Sequence, residues 1–160
     1  MQSYEVIQKI LSIGPSYEVR RTGFDDVLAT VNGTVLSFAP RLTMVQGNDG
    51  SQMAKLTGNF LRTSFVMTAT NGSELAVLRF PLIALKAKFT LSMKDETYTA
   101  KGGVLAMKFS CVDKAGNLVF TVHMQIGLGD RFTVDVAEDF PKEVAFLAAV
   151  AIDQKFFENN

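Results

Sequence analysis

The chain has 160 residues, 48% of them apolar, enough for one domain with a sizeable core and too many for a disordered segment. Sixteen Lys and Arg balance sixteen Asp and Glu; this zero net charge excludes the strong basic excess of a dedicated nucleic-acid binder but leaves room for a local basic patch. One Cys, one His and no Trp exclude an internal disulfide framework and a Cys-rich zinc centre, and fit a reducing compartment.

The opening segment, MQSYEVIQKILSIGPSYEVRR, lacks the basic start, long apolar run and small-residue cleavage site of a secretory signal. Residues 4–10 read as a first strand. From there the pattern is apolar–polar alternation, the two-residue period of a half-buried strand, as in Tyr17-Glu18-Val19-Arg20. Turn pairs interrupt it at short intervals: Asn32-Gly33, Asp49-Gly50, Asn71-Gly72, Gly102-Gly103, Gly116-Asn117.

Five consecutive stretches superpose as strand–turn–strand units. Each begins with a bulky residue: Tyr17, Leu42, Phe65, Phe89, Phe109. In each, a second apolar residue follows in the returning strand: Leu28, Met53, Leu75, Tyr98, Phe120. A small residue comes next: Ala29, Ala54, Ala76, Thr99, Thr121. A last strand, residues 131–136, has no returning partner. One strand, five hairpins and one strand make twelve. If the two orphan strands pair, the sheet closes into an antiparallel barrel without free edges. A two-sheet sandwich is the alternative.

After the last strand, Asp139-Phe140-Pro141-Lys142-Glu143 reads as a helix start, with Asp139 as cap, Pro in the first turn and Glu143 at the positive end of the dipole. The following run, VAFLAAVAI at 144–152, is the longest apolar stretch in the chain. It is far short of the roughly 20 residues of a membrane span. A helix apolar on every side is a buried one. Twelve strands enclose more space than their own side chains fill, and a thin, Ala-rich helix suits that space. The expectation is one mainly β domain over 1–160, with strands over about 4–136 and a central helix over about 141–157.

These motifs together make the chain similar to the tubby C-terminal-like superfamily, and within it to the LURP-one-related and scramblase-like proteins. The likeness rests on QKILSIGPSYEVR, on LATVNG, MAKLTG and LAVLRF in successive hairpins, on LRTSFVMTATNG, and on the ending GDRFTVDVAEDFPKEVAFLAAVAIDQ. It implies a twelve-stranded barrel around a C-terminal helix and a lipid-related or scaffold role. Tubby proteins bind phosphoinositide headgroups as membrane-tethered regulators. Scramblases are associated with phospholipid movement and calcium.

No catalytic set assembles in the sequence. His123 and Cys111 are a conceivable pair across one hairpin, although Cys111 alternates with polar residues like a core position. The acids Asp25, Asp26, Asp49, Asp95, Glu96 and Asp113 fall in turns, where Asp bonds to the local backbone. No stretch has calcium-loop spacing, and Glu138-Asp139 is the one turn that the scramblase likeness suggests for calcium. Gly127-Leu128-Gly129 lacks the Lys-Ser/Thr of a phosphate loop. No cofactor and no metal are expected.

One pattern remains. The residues preceding the bulky strand starts are Ser16, Arg41, Ser64, Lys88, Lys108 and Arg131, with Arg62 and Lys86 two positions before Ser64 and Lys88. Such positions face away from the core and, in a regular barrel, gather near one rim. The candidate lipid- or anion-binding residues are therefore Arg62, Lys86, Lys88 and Lys108. Two readings stand: a non-enzymatic module binding anionic phospholipid or phosphoinositide headgroups, or a regulatory protein-interaction scaffold with ordinary solvated surface charges. The expected location is cytoplasmic or peripheral to a membrane, with an anionic lipid surface or a protein as partner and no nucleic acid.

Overall fold

A computed structural model describes residues 1–9, 14–34, 38–82, 88–103, 107–125 and 131–157. Twelve antiparallel strands form a closed barrel in chain order, β1 beside both β2 and β12. The strands are β1 (Gln2–Lys9), β2 (Ser16–Arg21), β3 (Val27–Gly33), β4 (Arg41–Gln46), β5 (Gln52–Gly58) and β6 (Ser64–Ala69). They continue as β7 (Glu74–Arg79), β8 (Phe89–Met93), β9 (Glu96–Gly103), β10 (Lys108–Val112), β11 (Leu118–Gln125) and β12 (Arg131–Val136). The two orphan strands pair as expected, in a register running from Gln2↔Val136 to Ile7↔Arg131. An outward ion pair, Arg131 to Glu5 at 3.5 Å, lies across that seam.

Because neighbours run antiparallel, the hairpin turns divide between the two ends. One end, the base, carries the connections 22–26, 47–51, 70–73, 94–95 and 113–117. Asp49 and Asp113 shape two of them: Asp49 Oδ1 accepts from Ser51 N at 2.9 Å, and Asp113 Oδ1 accepts from Ala115 N and Asn117 N at 3.0 and 2.9 Å. The other end, the mouth, is where the odd-numbered strands finish and the even-numbered strands begin.

Helix α1 (Lys142–Ile152) enters at the base, and a π-helical turn, Asp153–Phe157, carries the chain to the mouth. Every residue from Val144 to Gln154 is buried, so the strands enclose the apolar helix. The start differs from expectation. The N-cap is Pro141, not Asp139, and no side chain caps the helix. The turn before it is closed by Phe140 N donating to the Ala137 carbonyl at 3.1 Å, which leaves Phe140 buried as the plug of the base.

The register also corrects the superposition of the hairpins. Val19, Met44 and Met67 face Ala29, Ala54 and Ala76, whereas Leu91 and Cys111 face Tyr98 and Phe120. Tyr98 and Phe120 therefore take the inward places of the alanines, one residue earlier than Thr99 and Thr121. Ladder shifts in four hairpins insert Leu28, Met53, Leu75 and Val119 as extra residues; the β8–β9 hairpin has none. With a side-chain period of two, one inserted residue changes which face its neighbours occupy. The helix explains the sizes. It packs against β12, β1 and β5–β7, where Ala54 and Ala76 let it approach. On the far side, Tyr98 and Phe120 fill the gap against Phe140, with ring centroids 5.5 and 5.3 Å away.

Candidate functional site

Below the mouth the interior is aromatic. Phe80 meets Phe65, Phe89 and Phe156 edge-on, with centroids 5.9, 5.6 and 5.3 Å away, and Phe156 stacks on Phe109 at 6.0 Å. Phe65, Phe89 and Phe109 are bulky strand starts seen in the sequence, whereas Phe80 follows β7 and Phe156 comes from the π-helical turn. These rings close the barrel under the polar rim.

Residues 59–63, between β5 and β6, are held by their own hydrogen bonds. Asn59 Oδ1 accepts from Thr63 N at 2.8 Å and Ser64 N at 3.1 Å, Asn59 Nδ2 donates to Thr63 Oγ1 at 2.8 Å, and Arg62 N donates to the Asn59 carbonyl at 3.0 Å. Arg62 adopts a left-handed φ of 55°, and its guanidinium donates to the Gln154 carbonyl at 2.6 Å. Lys155 Nζ reaches the Leu61 carbonyl at 3.5 Å. A cation at the carbonyl end of a helix is favoured by both hydrogen bonding and the dipole. Arg62 thus differs from its expected outward stance: it is half-buried and ties this connection to the end of the central helix.

Lys88 and Lys108 stand exposed at the mouth ends of β8 and β10, as their alternation predicts. Lys86 lies outside the described residues. Two further cations join them. Arg79, the last residue of β7, pairs in register with Thr90, two residues from Lys88, and Lys101 on β9 pairs with Ser110, two residues from Lys108. Both are exposed. Arg79, Lys88, Lys101 and Lys108 therefore form a continuous outer patch over β7–β10. The sequence pattern picks out residues at or just before strand starts. In an antiparallel barrel the residues that end the preceding strands lie at the same rim, and that rule finds Arg79 and Lys101.

Charge around the rim is uneven. Among the described residues the ion pairs are Lys9 with Glu18, Arg20 with Glu18, and Arg131 with Glu5, all on β1, β2 and β12. Burial alone would raise the Glu18 carboxyl, but the Arg20 hydrogen bond and the Lys9 charge hold it below the usual carboxylate range. The β7–β10 cations and Arg41 have no acidic partner among the described residues. The turn acids Asp25, Asp26, Asp49, Asp95 and Asp113, with Glu138 and Asp139, gather at the base. Among the described residues acids outnumber cations at the base, where Arg21, Lys94, Lys114 and Lys142 also lie, and cations outnumber acids at the mouth, an asymmetry that the neutral total conceals.

The possible catalytic pair is separated by the sheet. Cys111 is fully buried inside the barrel and His123 is exposed on its outer face. Burial pushes the Cys111 thiol up to about 12, so it is not a thiolate nucleophile at neutral pH. Among the described residues no three His, Cys, Asp or Glu side chains come close enough to hold a metal ion, including those near Glu138-Asp139. No described helix is long and apolar enough to cross a membrane.

Two clefts open at the base beside the helix start. One, of about 540 Å³, has Met53, Leu75 and Met93 among its walls, with Lys94 and Glu143 at its edge. The other, of about 290 Å³, lies beside Glu138, Phe140 and Lys142. Neither coincides with the basic patch.

Compared with known protein families, the chain matches the model described as LURP-one-related over residues 2–153. A search of curated proteins finds no match.

Proposed function

The chain belongs to the LURP-one-related family, a branch of the tubby-like and scramblase-like superfamily, and from that premise we propose that it is a non-enzymatic module for anionic phospholipid or phosphoinositide headgroups. The observation that carries this reading is the outer patch of Arg79, Lys88, Lys101 and Lys108, which has no acidic partner among the described residues, on a barrel whose turn acids lie at the opposite end. Lys86, outside the described residues, stays a candidate from the sequence pattern alone. Arg62 contributes by holding the neighbouring loop. A patch of one sign attracts anions, and a barrel polarised end to end is turned towards an anionic surface before contact. Each cation near an anionic leaflet is worth about 1 kcal/mol, so four give roughly 4 kcal/mol, close to millimolar affinity before any specific contact.

The test is liposome co-sedimentation with anionic and neutral vesicles at about 0.1 M and 1 M salt, between which the Debye length falls from roughly 10 Å to 3 Å. The expected result is binding to anionic vesicles alone, weakened by salt and by Gln at positions 79, 88, 101 and 108. Equal binding to neutral vesicles, or none to either, overturns it. A second reading, a protein-interaction scaffold, is favoured by the base cleft, where Met53, Leu75 and Met93 offer an adaptable apolar surface for a partner.

A further inference from the structure

Four large apolar side chains stand far out in solvent: Phe38 at 88%, Leu82 at 78%, Phe60 at 71% and Leu61 at 60% exposure. They fall in three successive connections, after β3, β5 and β7, and all three connections open at the mouth. At the base Met1, Phe24, Leu28 and Leu118 are exposed to a smaller degree, 40–58%, and Phe24 is partly covered by the Arg21 guanidinium, 5.2 Å from its ring centre. Scattered apolar residues on a surface need no explanation, but several gathered at one end of a barrel do. The connection bearing Phe60 and Leu61 is also pinned, by the Asn59 bonds and by Arg62 on the Gln154 carbonyl. The fold therefore holds Phe60 and Leu61 in water on a preorganised support.

We propose that the mouth docks end-on against an anionic bilayer, with Phe38, Phe60, Leu61 and Leu82 entering the headgroup–acyl boundary. This rests on the lipid-binding reading and adds the orientation and the inserted residues. Charge complementarity selects the occupant. Arg41 begins the strand after Phe38, Arg79 ends the strand before Leu82, and Lys88 stands six residues beyond it, so the apolar tips are bordered by cations. An apolar centre with a basic margin matches a bilayer whose interior is apolar and whose surface is anionic. The acidic base then faces away from the leaflet. The tips supply apolar burial that salt does not screen, whereas the patch supplies the part that it does.

The experiment places an environment-sensitive fluorophore on Phe60→Cys, Leu82→Cys or, at the base, Asn71→Cys. Native Cys111 is enclosed in the barrel and stays unlabelled. Vesicles are phosphatidylserine–phosphatidylcholine mixtures, with or without lipids carrying a quencher in the acyl chain, and pure phosphatidylcholine as control. The expected result is a blue shift and acyl-chain quenching at positions 60 and 82 but not 71. Each of Phe60→Ser and Leu82→Ser should weaken vesicle binding about tenfold in the otherwise native chain, the scale for withdrawing a large apolar side chain from an apolar environment. Normal sedimentation of the vesicles with the protein but no shift at 60 or 82 overturns end-on insertion and leaves the headgroup reading intact. No vesicle binding by the unlabelled native chain overturns both. A blue shift at 60 that grows with protein concentration without vesicles, together with dimers in analytical ultracentrifugation, makes the mouth a contact between copies of the chain and overturns the proposal.

Discussion

The hydroxyl of Tyr17 donates to Oδ2 of Asp153 across 2.5 Å, joining the start of β2 to the point where α1 passes into the π-helical turn. Gln154 Nε2 donates to the same hydroxyl at 2.9 Å. The barrel wall thus grips the helix through polar contacts as well as packing, inside an otherwise apolar core. Tyr17→Phe removes both bonds while keeping the ring. The expected loss is about 2–3 kcal/mol, because buried groups are left without that partner. Urea unfolding should show a lower midpoint with an unchanged slope; a midpoint equal to the native one counts against the grip.

Ala148 is fully enclosed on α1. Ala148→Asp should prevent stable folding, since an unpaired charge buried there costs several kcal/mol. The readout is soluble yield with near-ultraviolet dichroism. A native-like spectrum and melting curve would contradict enclosure of the helix.

Removing residues 1–10 takes away β1 and exposes the edges of β2 and β12. The expected outcome is aggregation through those edges and loss of amide protection from Phe132 to Val136. A monomer with unchanged protection would mean that the barrel wall does not depend on this seam.

The thiol of Cys111 gives a pH signature. Its folded pKa is raised to about 12 by burial, above the ordinary value near 9. Between those values the unfolded chain has lost a proton that the folded chain keeps. Its contribution to stability is therefore full below about pH 9 and declines as pH rises towards 12. Native protein at pH 8 should react with a disulfide reagent only at the rate of unfolding. Cys111→Ala should flatten the alkaline part of the stability curve. Rapid native-state labelling would contradict the buried position.

Arg62→Ala should loosen residues 59–63 by removing the bond to the Gln154 carbonyl. The cost expected for a charged hydrogen bond is about 1.5–3 kcal/mol, reduced where water replaces it. Faster amide exchange at Arg62 and Ser64, with β10 and β11 unaffected, would distinguish a local support from a general loss of stability.

Much of this architecture is legible in the alternation of polar and apolar residues. Tyr17, Leu42, Phe65, Phe89 and Phe109 mark the inner wall because strand period and burial coincide there, and the all-round apolar run at 144–152 has nowhere to go but inside. The hairpin returns were harder. Extra residues at Leu28, Met53 and Leu75 put an apolar side chain directly before each inward alanine, so the sequence pattern aligns Tyr98 and Phe120 with those extra residues instead of with the alanines they match. The cap is hidden from the sequence because Asp139 has the right chemistry but sits within the backbone turn that makes Pro141 the N-cap. At the rim, Lys88 and Lys108 are visible from alternation. Arg79 and Lys101 require the rule that ends and beginnings of antiparallel strands share a rim. The inward turn of Arg62 depends on a carbonyl 92 residues away, which no local pattern encodes.

The closing seam also dictates when this chain can finish folding. Gln2 pairs with Val136, so a strand made at the outset has to wait until the end of the barrel sequence has emerged. At typical synthesis rates that interval is on the order of ten seconds. Each hairpin can form as it appears, but the sheet they build has open edges and an uncovered apolar face throughout. The helix that covers that face is made after β12, so closure and filling become possible almost together. Non-local closure of this kind is slow, and the partly made barrel is the state in which this chain is most vulnerable to wrong pairing.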